Sequence, residues 1–199
     1  MKGGKKLELP DQKIIKLCKK NKREGFDLLF KKYERYIYTI CYSYTYSQQD
    51  ALDLVQDIFL RIYRNFEKVD EKKPLSPWVK KIAVNTCINF KRDNKNKASE
   101  LSIHLSNNDS EKTIEESMAD SGFTEDEVVY LDTKKILEEA IMELPKEVKM
   151  AILLRNIKGL SYNEISELME CPVGTVKTYI FRGKKLLKDS LVRKGVWEV

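Results

Sequence analysis

Between Thr175 and Lys185 the chain carries Thr175, Lys177, Thr178, Phe181, Arg182 and Lys185. Those types suit the surface of duplex DNA better than the turnover of a small molecule. Lysine and arginine reach phosphates or guanine edges, threonine hydroxyls reach phosphates or bases, and a phenyl ring can meet a thymine methyl. From Lys177 to Lys194, seven basic residues (177, 182, 184, 185, 188, 193 and 194) stand against one acid, Asp189. The positive charge is therefore concentrated in the last part of the chain. A plain surface helix with a lysine-rich solvated face would carry part of this pattern, so the elements around it decide.

Those elements describe a helix-turn-helix. Ser161-Tyr162-Asn163-Glu164 is a capping box, in which the Ser and Glu side chains satisfy backbone donors reciprocally. The helix it opens buries Ile165, Leu168 and Met169. A tight break at Glu170-Cys171-Pro172 follows, with Pro172 predicted to start the next helix. That helix buries Val173, Val176, Ile180, Gly183 and Leu187 at intervals of three and four. Thr175, Lys177, Thr178, Tyr179, Phe181, Arg182, Lys184 and Lys185 are left on its other face. Two helices joined so tightly offer the second to the DNA major groove.

Nothing comparable points to catalysis, so the chain is not expected to be an enzyme. There is no Gly-rich phosphate loop, and the one histidine, His104, sits in a stretch that reads as a linker. Cys18, Cys41, Cys87 and Cys171 are scattered singly without a CxxC pair, so no metal site and no cofactor are expected. Met1 to Pro10 is basic and polar without an apolar core, and no apolar run approaches the roughly 20 residues of a membrane span. A cytoplasmic protein with free thiols and no membrane insertion is the expectation. The net charge of +6 is only a mild sign of a polyanionic partner.

Apolar spacing is helical almost throughout, which predicts an all-α protein. A first block runs over 11–97, with Phe26, Leu29, Phe30, Tyr33 and Ile37 in one helix. A second helix starts near Asp50, read as its N-cap, and carries Leu54, Val55, Ile58, Ile62 and Phe66 on one stripe. Ser76-Pro77 reads as a cap and first helical residue of a third, through Trp78, Ile82, Ala83, Thr86 and Phe90. The stretch 98–127 then holds nine acids against one base, Lys112, and few large apolar residues. Such a segment buries too little surface to offset chain entropy and reads as an acidic flexible linker. A last block, 128–194, holds a helix ending at Leu144-Pro145, another from Lys146 towards Lys158-Gly159, and the helix-turn-helix.

Two stretches carry a family resemblance. Gly159-Leu160-Ser161-Tyr162-Asn163-Glu164-Ile165 and Pro172-Val173-Gly174-Thr175-Val176-Lys177-Thr178 resemble region 4 of extracytoplasmic-function (ECF) sigma factors of the sigma-70 family. The helix-turn-helix alone would also resemble response-regulator output domains. Asp50-Ala51-Leu52-Asp53-Leu54-Val55-Gln56-Asp57-Ile58-Phe59-Leu60, followed by Trp78-Val79-Lys80-Lys81-Ile82-Ala83-Val84-Asn85-Thr86, is similar to region 2 of the same family. The order is that of the family, and the likeness breaks at the acidic linker.

The resemblance implies a promoter-recognition factor for bacterial core RNA polymerase, with a region 2 bundle, the linker and a region 4 helix-turn-helix. It implies docking on the polymerase clamp helices by Asp53, Gln56, Asp57 and Phe59. Periodicity adds that Asp53, Gln56, Asp57, Leu60 and Arg64 share the face opposite the apolar stripe, although a merely solvated face would look the same. It implies recognition and melting of the promoter −10 element by Asn85, Asn89, Lys91 and Arg92, with Glu67 to Pro77 as the loop before them. Tyr63 and Phe66 are candidates to stack on bases there, and Trp78 reads as core before it reads as a platform. It implies −35 recognition by Thr175, Lys177, Thr178, Phe181, Arg182 and Lys185. Tyr179 stands where arginine is common, Gly183 and Ser166 where alanine is usual, and Glu170 where the turn usually has glycine. An anti-sigma partner is a further possibility the family allows. The competing reading is an ordinary regulator that binds duplex operator DNA alone.

Overall fold

A computed structural model describes residues 11–20, 22–90 and 125–197, with only the backbone of 125–131. Lys91, Arg92, His104 and nearly all of the acidic linker lie outside the described residues. Every described element is helical: α1 (Asp11–Lys19), α2 (Arg23–Thr45), α3 (Gln48–Asn65), a 3-10 turn (Phe66–Lys68), α4 (Leu75–Asn89), α5 (Glu125–Met142), α6 (Lys146–Asn156), α7 (Tyr162–Met169) and α8 (Val173–Arg193).

Helices α1 to α4 close around Ile14, Ile15, Leu29, Ile37, Ile58, Ile62, Leu75, Val79 and Val84, all essentially removed from water. The α3 stripe expected from spacing (Leu54, Val55, Ile58, Ile62, then Phe66) is buried throughout. The α2 stripe is only partly so: Leu29, Tyr33 and Ile37 are buried, while Phe30 is exposed. Glycine at 25 is a packing requirement. A Cβ there would come within 2.6 Å of the Cys18 nitrogen and 2.8 Å of the Leu17 carbonyl carbon, so α1 crosses α2 backbone to backbone.

Two helix starts differ from the sequence reading. Ser47, not Asp50, caps α3, its hydroxyl accepting from the Asp50 N–H at 3.3 Å. Asp50 is thus the third helical residue, where its charge still favours the helix N-terminus. Helix α4 starts at Leu75 behind Pro74, so Ser76 and Pro77 lie inside the first turn. Pro77 fits there because its missing N–H would have no partner within the helix. The Leu75 N–H instead donates at 2.9 Å to Asp11 Oδ2, on another helix, while Lys32 Nζ holds Oδ1 at 2.8 Å. Burial pushes the Asp11 carboxyl up, but Lys32 and the Leu75 N–H outweigh it and hold it below its ordinary value.

Helices α5 to α8 form the second half. Pro145 and Pro172 stand directly before α6 and α8, so Pro172 precedes the helix rather than opening it. Gly159 takes the left-handed φ of +66° expected of it, and the Leu160 N–H returns to the Leu154 carbonyl at 3.2 Å. Ser161 and Glu164 make the complete capping box.

The two halves touch. Ile40 and Ser43 of α2 line a small crevice with Met150, Leu153 and Leu154 of α6. Lys149, buried on α6, donates to the Tyr44 carbonyl at 3.1 Å and sits 4.3 Å from the Tyr44 ring centre. A cation over an aromatic face gains from the ring quadrupole, which helps a lysine remain out of water.

Candidate nucleic-acid interface

Helix α8 presents its basic face to solvent. Lys177, Thr178, Phe181, Arg182 and Lys185 are exposed, Phe181 to 75%, and Thr175 is half-buried near the start of the helix. A phenyl ring that open on a lysine-rich helix gains nothing from folding and is available to an apolar feature of a ligand. The Thr178 hydroxyl donates to the Gly174 carbonyl at 3.0 Å, which fixes its rotamer and leaves its lone pairs outward. Tyr179 differs from expectation. It packs half-buried against the core, so its departure from the family's arginine bears on packing as well as on base preference.

Gly183 has a direct reason. A Cβ there would stand 2.6 Å from Ile152 Cγ1 and 3.0 Å from Val148 Cγ1, so α8 lies on α6 at a distance alanine would not permit without movement. Two more departures prove to be connected. Glu170 adopts φ 52°, ψ 41°, the left-handed conformation that favours glycine. Ser166 ties the same turn, its hydroxyl donating at 2.6 Å to the Cys171 carbonyl while the Cys171 N–H donates back to the Ser166 carbonyl. The Glu170 carboxylate meets Lys81 Nζ at 2.7 Å and accepts from Asn85 Nδ2 at 3.2 Å, both on α4. Those two contacts, Lys81 first, hold its carboxyl below its ordinary value.

Between α3 and α4 lies a groove of about 360 Å³ lined by Arg61, Asn65, Lys68, Trp78, Lys81, Ile82, Asn85, Thr86 and Asn89. Amides supply paired donors and acceptors, and the three cations suit a phosphate backbone. It unites Asn85 and Asn89 from the sequence reading with Arg61, Asn65, Lys68 and Lys81, which that reading missed. The signal was there: Lys81, Asn85 and Asn89 recur every four residues on α4, as do Arg61 and Asn65 on α3. Phe66 cannot stack on a base, because it is 2% exposed and wedged edge-on between Phe26 and Trp78. Tyr63 is exposed but leans on Phe26, lining a different groove. Trp78, half-buried, is the aromatic that lines the amide groove.

That other groove, about 820 Å³ and largely apolar, runs between α2 and α3 past Phe26, Phe30, Leu52, Gln56, Phe59, Leu60 and Tyr63. The Phe30 and Phe59 rings meet across it, tilted, with centroids 4.7 Å apart. Asp53, Gln56 and Leu60 are exposed beside or along it. Asp57 is less free, since Arg61 Nε donates to both of its carboxylate oxygens at 2.9 and 3.0 Å. Among the described residues no His, Cys, Asp and Glu cluster could hold a metal, and no helix is long and apolar enough to cross a membrane.

Most residues of these surfaces fall within two family matches. A model described as Sigma-70 region 2 matches residues 29–97, and one described as Sigma-70, region 4, matches 134–187. The ECF RNA polymerase sigma factor SigW of Bacillus subtilis is 32% identical over 185 residues, spanning 93% of this chain and 98% of its own. The chain belongs to the ECF sigma factors. As such it is a transcription initiation factor that directs RNA polymerase to promoters. The ECF RNA polymerase sigma-E factor of Haemophilus influenzae is 29% identical to this sigma factor over 92% of the chain and 96% of its own length. The fold is shared with CnrH, solved in complex with the cytosolic domain of CnrY, at a TM-score of 0.59, 18% identity and 92% and 97% coverage. It is also shared with the sigma factor RpoE of Bartonella quintana, solved with the anti-sigma factor NepR, at 0.55, 19%, 84% and 97%.

Proposed function

We propose a division of labour in which each of the three surfaces has one partner. Asp53, Gln56, Asp57 and Phe59 dock core RNA polymerase, with Leu60 and the apolar groove between α2 and α3 adding buried area. Asn85 and Asn89, with Lys91 and Arg92 beyond them, hold the −10 strand in the amide groove. Thr175, Lys177, Thr178, Phe181, Arg182 and Lys185 read the −35 element. On this reading the units are 11–97, the acidic linker 98–127, and 128–194. The protein acts in the cytoplasm without catalysis of its own, and an anti-sigma factor is its natural antagonist.

The observation that carries this reading is that α3 leaves Asp53, Gln56 and Leu60 in water beside a wide apolar groove. Core folding does not account for that arrangement, and a protein partner does. The amide groove lies on the other side of α3, at Arg61 and Asn65. A chain docked by one face of the helix would therefore keep the other open to DNA.

The test is reconstituted transcription with bacterial core polymerase on a pool of promoter fragments, paired with a pull-down of the polymerase. Asp53→Ala and Phe59→Ala should weaken polymerase capture. Arg182→Ala should leave capture intact and abolish site selection. Capture that resists both α3 substitutions would sink the docking assignment, and unaltered site selection by Arg182→Ala would sink that of α8.

A further inference from the structure

The contact between the turn of the helix-turn-helix and α4 unites two surfaces that are both assigned to DNA. Lys81 and Asn85 line the amide groove, and both are engaged by the single carboxylate of Glu170. A carboxylate carries the charge of a phosphate and accepts the same hydrogen bonds. Two of the donors that would grip a nucleic-acid strand are thus already engaged, from the other half of the chain.

We propose that the free sigma factor rests closed, with the Glu170 carboxylate holding two donors of the −10 groove, Lys81 and Asn85, in place of the DNA strand, so that a strand must displace it before the groove can bind fully. The inference rests on the −10 assignment of Asn85 made above. Three features of the seam support it. Glu170 holds a backbone conformation that disfavours every residue with a side chain, yet what it contributes is two bonds across the seam. The ion pair is surface-exposed and adds little to cohesion, so its effect is to occupy donors rather than to glue. Cohesion comes from elsewhere: the Ile40, Met150 and Leu154 packing, the buried Lys149 on the Tyr44 carbonyl, and Lys158 4.7 Å from the centre of the Tyr36 ring.

The closed form blocks one DNA surface and spares the other. Phe181, Arg182 and Lys185 of α8 remain in water while Asn85 is occupied. The free chain is therefore able to meet duplex through α8, while a melted strand must compete with Glu170 for Lys81 and Asn85.

The experiment is fluorescence anisotropy of the full chain, without polymerase, against a fluorescein-labelled single-stranded oligonucleotide pool of random sequence. Glu170→Gly removes the carboxylate and suits the left-handed turn. It should bind the strand at least fivefold more tightly than the parent, and adding Asn85→Ala should remove the gain. Glu167→Gln deletes one negative charge on the exposed side of α7 and controls for charge alone. An equal gain in Glu167→Gln, or no gain in Glu170→Gly, overturns the guard. In parallel, Asn85→Ala is assayed for promoter opening by the polymerase complex. If opening is impaired while Glu170→Gly gains nothing, the groove reads DNA and Glu170 does not guard it. If opening is unimpaired, the −10 assignment fails and the guard with it.

Discussion

Two helices of this sigma factor, one in each half, start by opposite means. In the region 4 half, α7 is capped by its own neighbours, Ser161 and Glu164, within one turn of chain. In the region 2 half, α4 has no side-chain cap from its own sequence. Its first N–H is satisfied by Asp11, 64 residues earlier. Packing differs in another respect, the kind of atom a glycine allows close. Gly25 allows two backbones to touch, whereas Gly183 allows a helix to settle on the side chains of another. The start of α4 is therefore specified by agreement between distant segments, and that of α7 by local rules. Local rules also survive changes elsewhere better than distant ones.

That contrast can be tested by breaking each device in turn, reading stability from urea denaturation of the full chain. The largest effect is expected for Gly25→Ala. Its new methyl would meet main-chain atoms of Leu17 and Cys18 that cannot rotate away. A loss of about 3 kcal/mol, at the upper end for an overpacked site, is expected. Gly183→Ala meets the more yielding side chains of Ile152 and Val148 and gains helix propensity. A net loss of about 1 to 2 kcal/mol follows. A Gly183→Ala loss as large as that of Gly25→Ala would erase the distinction between the two halves.

Asp11→Ala comes next, at about 1 kcal/mol for a lost cap, and it carries a pH signature. Because the Asp11 carboxyl is held below its ordinary value in the folded chain, its contribution is present above the usual carboxylate range. It fades as pH falls through the lowered value. The difference between parent and Asp11→Ala should therefore be full at neutral pH and shrink in acid; a difference independent of pH would argue against the ionised cap. The smallest effect is expected for Ser161→Ala, at or below about 1 kcal/mol. Its loss should show in hydrogen exchange at the start of α7 and leave α4 untouched.

The same contrast explains what was legible in the sequence. The capping box, the Gly159 turn and the α8 stripe depend on residues a few positions apart, and all three can be read from those neighbours alone. The start of α4 cannot, because the group that satisfies Leu75 lies on α1. Ser76-Pro77 resembles a local start and shifts the reading by two residues. The α3 face was legible as polar, but its apolar groove needed Phe30 and Phe59 to meet across two helices. In the amide groove, Asn85 and Asn89 came through the family likeness. Arg61, Asn65, Lys68 and Lys81 belong to the groove only because α3 and α4 pack side by side. Glu170 stands out in the sequence as a departure from glycine, but its partners lie in the other half of the chain, where no local pattern could point.

The buried apolar cluster runs from Ile14 in α1 to Ile180 in α8, crossing between the halves at α2 and α6. A chain that carries two family units would ordinarily melt in two steps, each with its own enthalpy. With a shared interior the heat capacity peak becomes one, and its calorimetric and van't Hoff enthalpies converge. Parting the halves would divide that peak, so the shape of a melting curve becomes a record of whether the molecule is shut.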